Sequence, residues 1–109
     1  MAYDLGLAER LSGIVRKGQL VEKKMFGGLG WLLNGNMCLG IYKDKLILRV
    51  GDEAAAKLLK EKHIKIMYIT GEPMKGWLMM APDGYADDAD LTRLTKIAIT
   101  FVKTLPSEE

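Results

Sequence analysis

The chain has 109 residues, 49% of them apolar and 28% charged, with a formal net charge of +2 at pH 7. A chain of this length supports one ordered domain that buries roughly 65% of its unfolded surface, so a disulfide or metal staple is not needed. The small, interspersed charge excludes the strong positive field of a dedicated nucleic-acid binder. A single cysteine, Cys38, excludes an internal disulfide, and with His63 as its only usual soft partner it does not make a zinc site. No basic segment leads into a signal-type apolar core, and no apolar run nears the roughly 20 residues that span a bilayer. The expectation is a cytoplasmic protein with no membrane association, no metal and no cofactor.

In chain order, Leu7, Ala8, Leu11, Ile14 and Val15 recur at helical spacing behind Asp4, a suitable N-cap, with Arg16 and Lys17 favoured near the helix C-terminus before Gly18. Val21 to Met25 reads as a strand leading into Gly27-Gly28, and Leu29 to Leu33 as the next strand. Asn34-Gly35 is a strong two-residue hairpin signal, because both positions tolerate positive φ, and Met37 to Tyr42 returns. Lys43-Asp44 predicts a second tight turn before the alternating strand Lys45 to Val50. Asp52 is expected to cap a second helix running to Lys62. Ile64 to Thr70 and Trp77 to Ala81 read as strands separated by Gly71-Glu72-Pro73 and Lys75-Gly76, and Pro82-Asp83-Gly84 closes the pair. Leu91, Leu94, Ile97, Ala98, Phe101, Val102 and Leu105 define a last amphipathic helix, with Asp87, Asp88 and Asp90 at its start and Pro106 as its stop. The order α-β-β-β-β-α-β-β-α predicts a two-layer α+β domain over residues 1–106, mainly antiparallel, with helices on one sheet face and a frayed tail at 107–109.

Strict two-residue turns fix a register, and the register assigns faces. Leu32 then opposes Met37 and Gly30 opposes Leu39, so Gly28, Gly30, Leu32, Met37, Leu39, Ile41, Leu46, Leu48 and Val50 form the core face, the glycines admitting a helix closely. Leu29, Trp31, Leu33, Cys38, Tyr42, Lys45, Ile47 and Arg49 fall on the other face. That mixture is too apolar for a solvated surface and too polar for a core, which predicts a docking face, most simply for a second copy in a homodimer; the plainer alternative is that local twist, the flanking strands and long side chains cover it.

Catalysis requires coupled groups within reach of one another, and no such set assembles here. His63 at a helix end is an ordinary capping or surface residue, and Cys38 is a small strand residue. Phe26-Gly27-Gly28-Leu29-Gly30 has neither a Walker-type Gly-Lys-Ser/Thr nor a dinucleotide fingerprint, so its glycines are read as a bend and a close-packing device. Met74, Met79 and Met80 read as gap-filling core. Lys23, Lys24, Arg49 and Lys75 offer a basic rim, with Trp31, Tyr42 and Trp77 as stacking groups suited to nucleic acid or a small anion. The simpler reading makes these lysines solvated guards of strand edges.

Lys23-Lys24-Met25-Phe26-Gly27-Gly28-Leu29 running on to Asn34-Gly35-Asn36-Met37, Arg49-Val50-Gly51, and Glu72-Pro73-Met74-Lys75-Gly76-Trp77 together resemble the N-terminal domain of the TfoX/Sxy family, bacterial proteins associated with regulation of natural competence. Similar segments run from Met1-Ala2-Tyr3 to Leu105-Pro106. The resemblance implies the same element order and carries no catalytic residues to transfer. Competence regulators of this family add a C-terminal domain, whereas this sequence ends at Glu109, which weighs against a direct promoter role. The resulting expectation is a non-enzymatic regulatory or protein-interaction module whose partner is a second copy or a transcription-related protein. Its interaction residues are expected among Lys23, Lys24, Leu29, Trp31, Leu33, Tyr42, Ile47, Arg49, Lys75 and Trp77. The alternative is nucleic-acid or small-anion binding through the basic and aromatic groups.

Overall fold

The computed structural model describes residues 4–15, 20–25, 28–69 and 72–106. Its elements are α1 (Leu5–Ile14), β1 (Val21–Met25), β2 (Gly28–Leu33), β3 (Asn36–Tyr42), β4 (Lys45–Arg49), α2 (Gly51–Leu58), β5 (Ile64–Ile69), β6 (Glu72–Met80), α3 (Pro82–Tyr85) and α4 (Asp88–Val102). This is the expected α+β order with one short helix added after β6. Asp4 caps α1 as its sequence position predicts, accepting from the Leu7 N–H at 3.2 Å. Asp87 caps α4 by accepting from the Ala89 N–H at 2.8 Å. Asp52 does not cap α2: Val50 holds that position without a side-chain bond, and Asp52 lies in the first turn. The helix also stops at Leu58 rather than Lys62. The Lys60 and Glu61 N–H groups bond to Lys57 O and Leu58 O in tighter turns, and His63 sits at φ 70°. The cations at Arg16 and Lys17, the bend at Phe26-Gly27 and the turn residue Gly71 lie outside the described residues.

All pairings in the six-stranded sheet are antiparallel, in the order β1-β2-β3-β4-β6-β5. β6 extends back to Glu72 through Pro73 and Gly76, which the sequence marks as breakers. The ladder passes from Ile66↔Leu78 to Tyr68↔Pro73 across an irregularity that absorbs extra β6 residues. Asn34 and Gly35 both adopt positive φ in the predicted hairpin turn, and Leu32 pairs with Met37.

Beyond that pair the strict register fails. A bulge at Cys38 makes Trp31 oppose Leu39, Gly30 oppose Gly40 and Leu29 oppose Ile41. One inserted residue exchanges the two faces of β2. Leu29 and Trp31 therefore join the core under the helices, at 5% and 2% exposure. Leu33 and Cys38 pack into or against the same cluster. Gly28, Gly30 and Leu32 turn to the opposite face, so these glycines do not admit a helix. The energetic reason is one of magnitude. Burying Leu29 and Trp31 contributes about 1.5–3 kcal/mol each or more, whereas a disturbed ladder forfeits about 1 kcal/mol per net hydrogen bond.

Two apolar rows then cross the helix side of the sheet: Leu29, Ile41, Leu46, Met80 and Ile64, and beside it Trp31, Leu39, Leu48, Leu78 and Ile66. Over them α4 lays Leu91, Leu94, Ala98 and Val102, all essentially inaccessible, while α1 adds Leu7 and Leu11 and α2 adds Ala55 and Leu58. Arg10 ties α1 to the α3–α4 corner. Its Nη2 donates to the Tyr85 carbonyl at 2.6 Å and its Nε to Asp88 Oδ1 at 3.0 Å, while the Tyr85 hydroxyl donates to the Asp44 carbonyl at 2.7 Å. At the start of α2, Gly51 has φ +85°, and a Cβ there would stand 2.5 Å from the Phe101 ring. A Cβ on Gly76, at φ +81°, would stand 3.1 Å from Gly51 Cα, so strand and helix start meet backbone to backbone at this joint.

Two expectations follow for the core. Trp31→Ala lowers unfolding stability by about 3–5 kcal/mol in urea denaturation, the cost of emptying a packed site; a change within error would contradict the bulged register. Thr95 Oγ1 is fully buried on α4 and has no hydrogen-bond partner among the described residues. Removing an unsatisfied hydroxyl without changing shape raises stability, so Thr95→Val is expected to shift the urea midpoint upward by about 1 kcal/mol equivalent.

Candidate functional site: the open face of the sheet

The helices bury one side of the sheet only, and the other side is built by the same register. Lys23, Gly30, Gly40, Ile47, Met79 and Lys65 form one cross-strand row through all six strands. Leu32 and Met37 pair on one flank of that row, Arg49 and Trp77 pair beside them on β4 and β6, and Tyr42 pairs with Lys45 on the other flank. The row thus has a lysine at each end, two glycines under one half and two apolar side chains under the other.

The glycines do not leave a hole. A Cβ on Gly40 would stand 2.6 Å from Met37 Cε and 2.9 Å from the Leu29 carbonyl, so the Met37 thioether lies across the bare backbone. Ile47 is buried at 5% exposure although no helix covers it and it stands apart from the main core. Leu32, Met37, Met79 and Trp77 are half-buried around this face, while Lys23 and Lys65 are exposed. The contact shown over this strip is the Met37 thioether against Gly40.

Its electrostatics are one-sided. The Arg49 guanidinium carbon lies 5.2 Å from the centre of the Trp77 ring, and Lys43 Nζ lies 5.4 Å from that of Tyr42. Lys45 is neutralised locally by Asp44 at 2.9 Å, and that pairing holds the Asp44 carboxyl below the usual carboxylate range. No carboxylate occupies any of the face positions just named.

Of the residues singled out from sequence, Lys23, Tyr42, Ile47, Arg49 and Trp77 share this face. Lys24 does not, because it pairs with Leu29 and so belongs to the helix side of β1. Leu29, Trp31 and Leu33 are likewise on the helix side, and Trp31 is not available for stacking. Lys75 is exposed in the irregular part of β6. Gly30, Leu32, Met37, Gly40, Met79 and Lys65 belong to the face although sequence reasoning did not select them as interaction residues. The signal that could have found them is volume: Leu29, Trp31 and Leu33 outweigh Gly28, Gly30 and Leu32 as core formers.

Cys38 is fully buried, and burial pushes its thiol up to about 12 against a smaller opposing effect of Arg49. That environment suppresses the thiolate that nucleophilic chemistry requires. Among the described residues, no three His, Cys, Asp or Glu side chains gather into a group that could hold a metal, and no helix is long and apolar enough to cross a membrane.

Fold and surface together define a two-layer α+β domain whose sheet is sheathed on one side and bare on the other. The family model of the TfoX N-terminal domain matches residues 9–102, and the chain belongs to that family. A search of curated proteins found no match.

At pH 8, Cys38 in the folded protein is expected to react with a thiol reagent such as dithionitrobenzoate at least about 100-fold more slowly than in denaturant, given its raised pKa and burial. Comparable rates in the two states would show that the bulge opens readily.

Proposed function

We propose that this domain acts without catalysis, as a regulatory module that binds another macromolecule through the open face of its sheet. The observation that carries this reading is the cluster of half-buried Leu32, Met37, Met79 and Trp77 around buried Ile47, which stands outside the helix-covered core and is ringed by Lys23, Arg49 and Lys65. An apolar floor with a polar rim is the composition of a docking surface. Family membership supports the regulatory part of the proposal, since this family is associated with control of competence. The partner we favour is a protein of the transcription apparatus in the cytoplasm.

The reading is tested by replacing Met79 with a photo-crosslinking residue and irradiating cells, with the exposed α4 residue Lys96 substituted in the same way as a helix-side control. A discrete protein adduct from position 79 and none from position 96 is the expected result. Adducts of equal yield from both positions, or none from position 79, would overturn it. Adducts containing nucleic acid would instead favour the basic and aromatic groups as a nucleic-acid site.

A further inference from the structure

We infer that the open face is built for an acidic protein segment carrying apolar side chains between its carboxylates, and not for a second copy of this chain or for single-stranded nucleic acid. The inference rests on the docking role proposed for this face and adds the chemistry of its occupant. The first observation is charge. Lys23, Lys45, Arg49 and Lys65 occupy face positions, the assigned positions hold no carboxylate, and among the described residues only Lys45 of these four forms an ion pair, with Asp44. Two copies meeting through these faces would bring cation against cation around a desolvated centre, which opposes association. An acidic occupant turns the same charges into attraction.

The second observation concerns the aromatics. A nucleic-acid platform offers ring faces on which bases stack. Here one face of Trp77 already carries the Arg49 guanidinium at 5.2 Å, and Tyr42 carries the Lys43 ammonium at 5.4 Å. Trp31, the largest remaining ring near this part of the sheet, is sealed in the core. The rings thus serve to position cations, and a guanidinium set over an indole keeps N–H groups to offer a carboxylate. The third observation is spacing. Lys23 and Lys65 end one row, about 24 Å apart at strand spacings of about 4.8 Å. Between them lie the glycine strip, the Met37 thioether, Ile47 and Met79. Flexible thioethers adapt to apolar groups of varied shape. An extended or helical segment with acidic residues toward its ends and apolar ones at its middle matches this order of charges.

The test uses the full chain labelled with nitrogen-15 and three probes: a short capped peptide alternating Glu and Leu, the same peptide with Lys for Glu, and oligothymidylate. The acidic peptide is expected to move the amide signals of Gly30, Gly40, Ile47 and Met79 and to bind at least about 10-fold more tightly than the basic one. Arg49→Gln and Lys65→Glu should each weaken it by about 10-fold, and Lys96→Glu should leave it unchanged. Lys65 is exposed, so its variant keeps the test valid if Arg49→Gln disturbs folding. Absent or equal binding of the two peptides, shifts confined to the helices, or tighter binding of oligothymidylate would each overturn the inference. So would dimerisation at rising protein concentration accompanied by shifts on this face. If the acidic peptide fails while position 79 still crosslinks to a protein in cells, only the acidic chemistry falls. If both fail, the docking surface falls with it.

Discussion

The arrangement of this domain depends on one extra residue in β3. With Cys38 bulged out of the β2–β3 ladder, Leu29 and Trp31 lie in line with Leu39, Ile41, Leu46 and Leu48, and the helices have a continuous apolar floor to cover. Without the bulge, Gly28 and Gly30 would take those places and α4 would span a void. The same residue determines the other side of the sheet, because turning Trp31 inward turns Gly30 and Leu32 outward. Core and open face are two results of a single register choice.

The sequence shows most of the scaffold. Both hairpin turns, the Asp4 cap and the long stripe of α4 are local signals, and each occurs where local chemistry places it. What escapes is what depends on distant partners. The bulge has no composition of its own; it arises because the combined volume of Leu29 and Trp31 is needed in rows that run on through Leu48 and Leu78, two and three strands away. Pro73 and Gly76 look like the end of a strand, yet β6 runs through them because pairing with β5 absorbs the extra residues. The site was half legible for the same reason. Tyr42, Ile47, Arg49 and Trp77 lie beyond the bulge, where alternation holds, whereas Met37 and Leu32 were assigned to the wrong side.

The two sides of the sheet are held by different physics. Under the helices, branched and aromatic side chains interlock at full burial, with Thr95 Oγ1 the one buried side-chain nitrogen or oxygen among the described residues that lacks a hydrogen bond. On the open side, half-buried Leu32, Met37, Met79 and Trp77 lie around Ile47, the Met37 thioether sits against Gly40 and Arg49 lies over the Trp77 ring. These groups can rearrange at small cost, and they leave Ile47 shielded without fixing its surroundings. A fold of this kind separates the surface that stabilises it from the surface proposed above for docking.

The joint between Gly51 and Gly76 shows what such a separation means for inheritance. A Cβ on Gly76 would press on the Gly51 main chain and one on Gly51 on the Phe101 ring, and both residues hold positive φ, so each side of the joint favours the residue without a Cβ. Both glycines lie inside the short stretches that make this chain recognisable as kin to others. The resemblance therefore records a joint between helix and strand. The same stretches also carry Lys23, Met37, Arg49 and Trp77 of the open face, so the resemblance follows both the joint and part of the surface beyond it.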